Sequence, residues 1–438
     1  MKFYLLKLGC PKNDVDADYI TARLVAEGHQ PVAEPDDADS IIVNTCGFIL
    51  PAKEESINSL LNLTRFKKEG RVKTLYATGC LSQRYGDELL EGMPELDGAF
   101  GLGEIEALAR ALAASARLKK TIRHPARQLD YLSGESRYIA DNLPFAYLKI
   151  SDGCNRNCSF CAIPSIRGKY RSRLPEAIIE EARFLAEHGK KEIIIVSQEA
   201  TRYGIDLKKK ITIINLLEEL NKIEKIKWIR LLYLYPDRVT PELITYMAGD
   251  NKTLKYFDLP LQHINDDLLK LMKRRPGRKK IEQLINDIRN LVPEAVLRTA
   301  FIVGFPGETK KRFEELRDFM MEYRFDRVGV FTFSPEEGTT AEKLRPGVSE
   351  KVKTARLDEL MSVQREIAFD KNNSLIGTVK KVIIDSTGDG RTARGRTEGD
   401  CPEIDQEIYV TGENLRTGDI CRVKITATEG YDLKGEVL

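Results

Sequence analysis

Residues 146–168 read AYLKISDGCNRNCSFCAIPSIRG. The first six form a short strand-like run, and the run gives way to a loop carrying Cys154, Cys158 and Cys161. Five further strand signals follow: EIIIVSQ (192–198), WIRLLYL (228–234), YFDLPLQ (256–262), VLRTAFIVGF (296–305) and RVGVFTF (327–333). Helical patterns such as PEAIIEEARFLAEHG (175–189) and ETKKRFEELRDFMMEYR (308–324) separate them. Strands apolar on both faces, alternating with helices, predict a partial parallel (β/α) barrel. Its functional groups belong at the rim of strand C-termini, where the cysteine loop begins. A helix from about 353 to 372, with Leu357, Leu360, Met361, Ile367 and Ala368 at helical spacing, leads out of the barrel.

Upstream, KFYLLKLG, SIIVNT and TLYATG alternate with DADYITARLVAEG, EESINSLLNLTRFKKEG and EIEALARALAASARL. That βαβαβα order predicts an open parallel α/β sheet over 1–117. Cys10, Cys46 and Cys80 each follow a strand, in LGC, NTC and TGC, at separations of 36 and 34 residues. Strand C-termini of a parallel sheet share one edge, so the three thiols converge there. Any one of them reads as a small buried hydrophobe; three in register do not.

Residues 118–140 lack a sustained period and read as a linker between this domain and a barrel domain over 141–370. From 371 to 438, short runs (TVKKVIID, QEIYVTG, ICRVKITATEG, GEVL) broken by Gly, Asp and Asn predict a small antiparallel β barrel. The whole is an α/β multidomain chain. Cys421, alternating with Val423 and Ile425, is expected in the core, and Cys401, before Pro402, as a free thiol.

The 438 residues are 42% hydrophobic and 31% charged, too long for one core and too apolar for disorder. A net charge of +2 gives no overall field of the kind a non-specific nucleic-acid binder carries. Without a long apolar run or a signal-peptide core, the expected location is the cytoplasm, with no membrane partner. Eight cysteines are too sparse for a secreted disulfide scaffold, and their clustering suggests metal.

The spacing Cys154-x3-Cys158-x2-Cys161 offers three thiolates from one loop and no fourth. Structural zinc wants four ligands, and His124 and His188 lie about 30 residues away without finger spacing, though zinc stays open. An iron-sulfur cube on three cysteines keeps one iron with an open position for a substrate or cofactor. With Phe160 before the last cysteine, and the loop after the first barrel strand, the motif resembles that of the radical S-adenosylmethionine (SAM) enzymes. The resemblance implies that Cys154, Cys158 and Cys161 hold a 4Fe-4S cluster that cleaves SAM to methionine and a 5′-deoxyadenosyl radical.

The chain as a whole resembles the methylthiotransferases, which join a three-cysteine domain, a radical SAM core and a TRAM-like β domain. That implies a second 4Fe-4S cluster on Cys10, Cys46 and Cys80. LGCPKNDVD (8–16), IPSIRG (163–168) and LPLQH (259–263) are similar to the RimO branch, which modifies an aspartate β-carbon on protein twelve of the small ribosomal subunit. The alternatives are a modified adenosine of transfer RNA, or a non-enzymatic iron-sulfur electron carrier. Residues 371–438 hold 10 Lys and Arg against 12 Asp and Glu, which suits a basic protein better than an RNA backbone. An external electron donor is implied as well.

At the rim, Gly304, Pro306, Gly307 and Glu308 form a glycine turn expected to lead into an acidic first helical turn. The resemblance assigns Gly304 and Glu308 to SAM binding. Gln198, Gln262 and His263 end strands on the same rim, and the two glutamines join the SAM set. Of Arg167, Lys169, Arg171 and Arg173, most are expected on a solvated loop, with Arg173 offsetting the methionyl carboxylate or cluster charge.

Overall fold

The computed structural model describes residues 1–123, 137–345, 347–388 and 391–438. Six parallel strands, β1 (Lys2–Lys7), β2 (Gln30–Pro31), β3 (Ser40–Thr45), β4 (Thr74–Gly79), β5 (Gly98–Phe100) and β6 (Thr121–Ile122), form the N-terminal sheet in the order β2-β1-β3-β4-β5-β6. Helices α1 (Pro11–Ala26), α2 (Leu50–Lys68), α3 (Cys80–Gly92) and α4 (Ile105–Ala113) make the crossovers. Proline at the start of α1 and of α2 fixes φ where no backbone donor is missed.

The barrel is two three-stranded parallel sheets. The first is β7 (Phe145–Lys149), β10 (Glu192–Val196) and β11 (Trp228–Leu231), with β10 central. A two-residue hairpin of β8 (Ser151–Asp152) and β9 (Arg171–Ser172) brackets the cysteine loop and the short helix α5 (Ile163–Arg167). The second sheet is β12 (Tyr256–Gln262), β13 (Val296–Val303) and β14 (Arg327–Thr332). A parallel bridge from Ile229 to Thr253 and a bond from Leu234 N–H to the Asp258 carbonyl (2.9 Å) join the two, giving the expected partial barrel. Helices α6 (Pro175–Glu187), α7 (Ile213–Asn221), α8 (Pro241–Ala248), α9 (Asp266–Leu271), α10 (Arg278–Leu291) and α11 (Lys310–Tyr323) belong to it. Then α12 (Glu350–Leu375), longer than expected, leads to the last domain.

That domain closes β15 (Val379–Thr387), β16 (Thr392–Thr397), β17 (Ile408–Thr411), β19 (Asp432–Val437) and β18 (Ile420–Glu429) into a barrel. One pairing, β17 with β19, is parallel, and the rest are antiparallel. An odd number of strands cannot alternate all the way round a closed ring, so a purely antiparallel barrel was not attainable.

Residues 124–136 of the expected linker 118–140 lie outside the described residues. Its start is already strand β6, and near its end Arg137 is buried, bonded to the Tyr147 carbonyl and paired with Asp18 (2.6 Å) and Glu181 (3.0 Å). One continuous core runs through all three domains: Val15, Tyr19 and Phe100 pack with Tyr147, Val196 and Trp228, and onward to Ile383 and Cys401. Cys401 is therefore a fully buried thiol at a domain seam. Cys421 lies half-buried against the interior of the last barrel. No helix among the described residues is long and apolar enough to cross a membrane.

Candidate functional site

Three loops leave the N-terminal sheet at its C-terminal edge, and the Asn13 side chain ties them together. Its Nδ2 donates to the carbonyls of Leu8 (2.9 Å) and Thr45 (3.2 Å), just ahead of Cys10 and Cys46. Its Oδ1 faces the Cys80 thiol at 3.6 Å. Gly9 and Gly79 supply the tight exits. A Cβ on Gly9 would lie 2.7 Å from Cys46 Cβ and 3.1 Å from its Sγ, so the chain around Cys10 runs directly against Cys46. On Gly79, at φ +93, it would lie 2.4 Å from Asn44 Oδ1 and 2.6 Å from the Thr45 carbonyl. Gly79→Ala is accordingly expected to lower stability by about 1–3 kcal/mol, read as a drop in thermal midpoint.

The second set sits between β8 and β9. Cys154 N–H donates to the Gly168 carbonyl (3.1 Å), Cys161 N–H to the Cys158 carbonyl (3.2 Å), and Arg156 N–H to Cys154 Sγ (3.4 Å). Ser159 anchors the middle of the loop, donating to the Met272 carbonyl and accepting from Ala341 N–H. Arg156 is held by Glu199 (2.6 Å) and Asp237 (2.8 Å) and stacks 3.7 Å from the Tyr235 ring.

The two triplets are neighbours. Cys80 packs with Leu102, Ala162 and Ile166, so the wall of the first set is built from residues that follow Cys161. Each set also carries one guanidinium on a thiol: Arg167 Nη2 lies 3.5 Å from Cys80 Sγ and Arg274 Nη1 3.8 Å from Cys158 Sγ. Burial pushes the Cys46 and Cys161 thiols up to about 12, with neighbouring sulfurs adding to the rise. Cys80 is raised by burial too, opposed by Arg167. Thiolates here thus need cationic compensation, which bound metal supplies. Among the described residues no three His, Cys, Asp or Glu side chains close on a single-ion site. Three thiols per set, each set with one adjacent guanidinium, fit an anionic multi-iron cluster, where each thiolate takes its own iron.

Between the sets runs a buried ion network that crosses the domain seam. Lys149, fully buried, pairs with Asp16 (2.5 Å) and Asp152 (2.9 Å). Arg167 pairs with Asp152 (2.9 Å) and Asp16 (3.0 Å) and donates to Asn13 Oδ1 (2.7 Å). Asp152 also accepts from Gly153 N–H (2.8 Å) and Gln198 Nε2 (2.9 Å). Burial would raise the Asp152 carboxyl, yet Arg167 and Lys149 hold it down at about 2. Arg167, expected on a solvated loop, is 1% exposed. On the opposite side, the loop after β14 docks through buried Glu336, which pairs with Lys53 (2.8 Å) and Arg84 (3.0 Å).

The residues assigned to SAM separate. Gln198 is at the network, and its Oε1 is buried without a hydrogen-bond partner among the described residues. Gln262 ends β12 at φ +74, where the pairing with β13 shifts register. Arg173 is buried, paired with Glu181 of α6 (2.5 Å), donating to the Lys149 carbonyl (2.7 Å) and reaching the Tyr19 hydroxyl of α1 (3.4 Å). Gly304, at φ +75, approaches Lys353 of α12, whose Cγ would stand 2.2 Å from an added Cβ. Glu308 precedes the Thr309 cap of α11 rather than opening its first turn. Its carboxylate folds back onto Gly304 N–H and pairs with Arg356 (3.2 Å), tying the turn to α12. His263 accepts from Asn265 N–H at Nδ1 (3.0 Å), leaving its proton on Nε2, 3.8 Å from Glu308. Asn13, Asp16, Lys149 and Asp152 escaped the sequence reading and Arg167 was expected on a solvated loop, although Asn13, Asp16 and Arg167 lie inside the quoted motifs LGCPKNDVD and IPSIRG.

A cysteine-loop partial barrel, fronted by a parallel sheet with its own thiol set and trailed by a five-stranded barrel, defines a radical SAM protein. The Radical SAM superfamily matches residues 148–320, the Uncharacterized protein family UPF0004 residues 2–101, and the TRAM domain residues 376–438. The ribosomal protein uS12 methylthiotransferase RimO of Thermoanaerobacter sp. (strain X514) is 44% identical over 433 residues, 99% of each chain. Those of Caldanaerobacter subterraneus subsp. tengcongensis and Clostridioides difficile (strain 630) are 46% and 43% identical, over 99% and 100% of this chain and 99% of theirs. This chain belongs to the RimO family of ribosomal protein uS12 methylthiotransferases. In fold it is similar to TsrM from Kitasatospora setae, a radical S-adenosylmethionine methyltransferase, with TM-score 0.53 and 15% identity over 89% of this chain and 81% of that one.

Proposed function

We propose that this chain methylthiolates the β-carbon of an aspartate on ribosomal protein uS12, with two 4Fe-4S clusters and SAM. Cys154, Cys158 and Cys161 would hold one cluster and Cys10, Cys46 and Cys80 the other. The observation that supports the reading is the packing of Cys80 against Ala162 and Ile166, the residues that follow Cys161. Bound there, the clusters and SAM supply the one-electron chemistry needed to break an unactivated C–H bond and the group that replaces the hydrogen.

The chain's own contribution is to orient and to exclude water. Gln198 Oε1, a buried acceptor without a partner among the described residues, would accept a hydrogen bond from SAM, while its Nε2 stays on Asp152. Gln262 is the second candidate contact. Gly304 and Glu308 complete the proposed contacts, and Arg173, engaged by Glu181, would act from behind the rim. The mildly acidic 371–438 domain suits a basic ribosomal protein, an external donor supplies electrons, and both proteins meet in the cytoplasm.

Reconstituted anaerobically with iron, sulfide, SAM and dithionite, the chain is offered uS12 and transfer RNA separately. The expected result is one methylthio group in place of one hydrogen on uS12, located by fragment mass spectrometry at a single aspartate. Methylthio on transfer RNA alone would transfer the reading to an RNA substrate. Cluster reduction without 5′-deoxyadenosine would reduce the protein to an electron carrier.

A further inference from the structure

Arg167 belongs to the barrel, two positions beyond Ser165 and six beyond Cys161, yet its Nη2 reaches a thiol of the other domain. We propose that Arg167 is a tuning residue that sets the reduction potential of the cluster held by Cys10, Cys46 and Cys80. The inference rests on the proposed ligand set of that cluster.

The geometry is specific. Arg167 Nη2 serves three acceptors at once: Cys80 Sγ (3.5 Å), Asn13 Oδ1 (2.7 Å) and Asp16 Oδ2 (3.0 Å). Nη1 is fixed on both oxygens of Asp152, at 2.9 and 3.3 Å. The planar fork is thus locked from two sides, and its position relative to the sulfur does not depend on solvent. A cationic donor on a cluster sulfur favours the more negative, reduced form, so it raises the potential. Hydrogen bonds to the sulfurs and net local charge are the principal protein levers on such clusters. Asp16 works against the guanidinium. It shares Nη2 with the sulfur and sets a carboxylate beside the same buried group, drawing positive charge away from Cys80. Asp16 is also bound to Lys149 (2.5 Å), so the balance at the sulfur is set by a four-member network of two cations and two carboxylates.

A merely structural arginine makes a different demand. Weakening the network from either side would then loosen the site in the same manner. A tuning role requires opposite signs: Arg167→Gln makes the cluster harder to reduce, and Asp16→Asn makes it easier.

The test uses the full chain with Cys154, Cys158 and Cys161 all replaced by alanine, so that only the N-terminal set can hold iron. After anaerobic reconstitution, iron is counted, and the potential is read by dithionite titration followed by electron paramagnetic resonance. The expected order of potentials is Asp16→Asn highest, then the parent, then Arg167→Lys, then Arg167→Gln lowest. If the parent binds no iron, the proposed ligand set fails and the inference falls with it. If iron is bound but Asp16→Asn is unmoved or shifts downward, Arg167 does not tune the cluster and only the inference is lost. Should Arg167→Gln not fold by circular dichroism, the isosteric Asp16→Asn and charge-conserving Arg167→Lys decide by the same signs.

Discussion

Replacing Cys10, Cys46 and Cys80 together by alanine is expected to abolish methylthiolation while leaving 5′-deoxyadenosine formation in place. Bound iron should fall from about eight to about four per chain, as for the loss of one of two cubane clusters. The three substitutions remove sulfur atoms from a tightly walled edge but leave the barrel loop untouched. That loop is anchored on its own side by Gly168, Met272 and Ala341. The proposed ligands of the SAM-cleaving cluster, Cys154, Cys158 and Cys161, are therefore kept. Iron analysis and chromatography of 5′-deoxyadenosine on the same preparation check both parts. Full iron retention in the triple variant would remove the second cluster from the account.

Asp152→Ala should produce the largest loss of stability among single substitutions at the site, about 3–5 kcal/mol. The carboxylate stands between two fully buried cations, Lys149 and Arg167, and also accepts from Gly153 N–H and Gln198. Without it, two buried cations lose a shared counter-ion and keep Asp16. Asp152→Asn keeps the shape and serves as the milder comparison. The same carboxyl fixes a pH response. It sits at about 2 in the folded chain against 3.8 ordinarily, so its stabilisation is complete above about pH 4 and is lost as the pH falls through 2. Chemical denaturation of the wild type and Asp152→Ala between pH 6 and pH 2 should show the two converging over about that window.

Much of the architecture was open to reading from the chain. The six barrel strands stand out as mostly apolar runs alternating with helical patterns, although Lys149, Arg230, Asp258 and Arg298 interrupt them. Cys10, Cys46 and Cys80 stand out because strand ends of a parallel sheet share one edge, and Cys154, Cys158 and Cys161 because of their spacing on one loop. The polar machinery between them did not show itself. Arg167 looks like any basic residue in a loop rich in Arg and Lys, and it is buried where α1 and α3 of the other domain meet α5. Glu308 reads as a helix-start acid, but the cap is Thr309, and the carboxylate is captured by Gly304 N–H and Arg356, 48 residues onward. Arg173 shows the same limit in reverse, since Glu181 claims it from α6 before any cofactor can. In each case the deciding partner lies on another element, and local spacing carries no record of it.

The core that runs from Val15 through Tyr147 to Ile383 joins all three domains. A modular ancestry for the three pieces is therefore compatible with little present-day modularity. Either half, parted from the other, would present water with aromatic surface and with stranded charges such as Lys149 and Arg167. Substitutions along this junction must be answered from the facing side, so the pieces are bound to drift together as one inherited block.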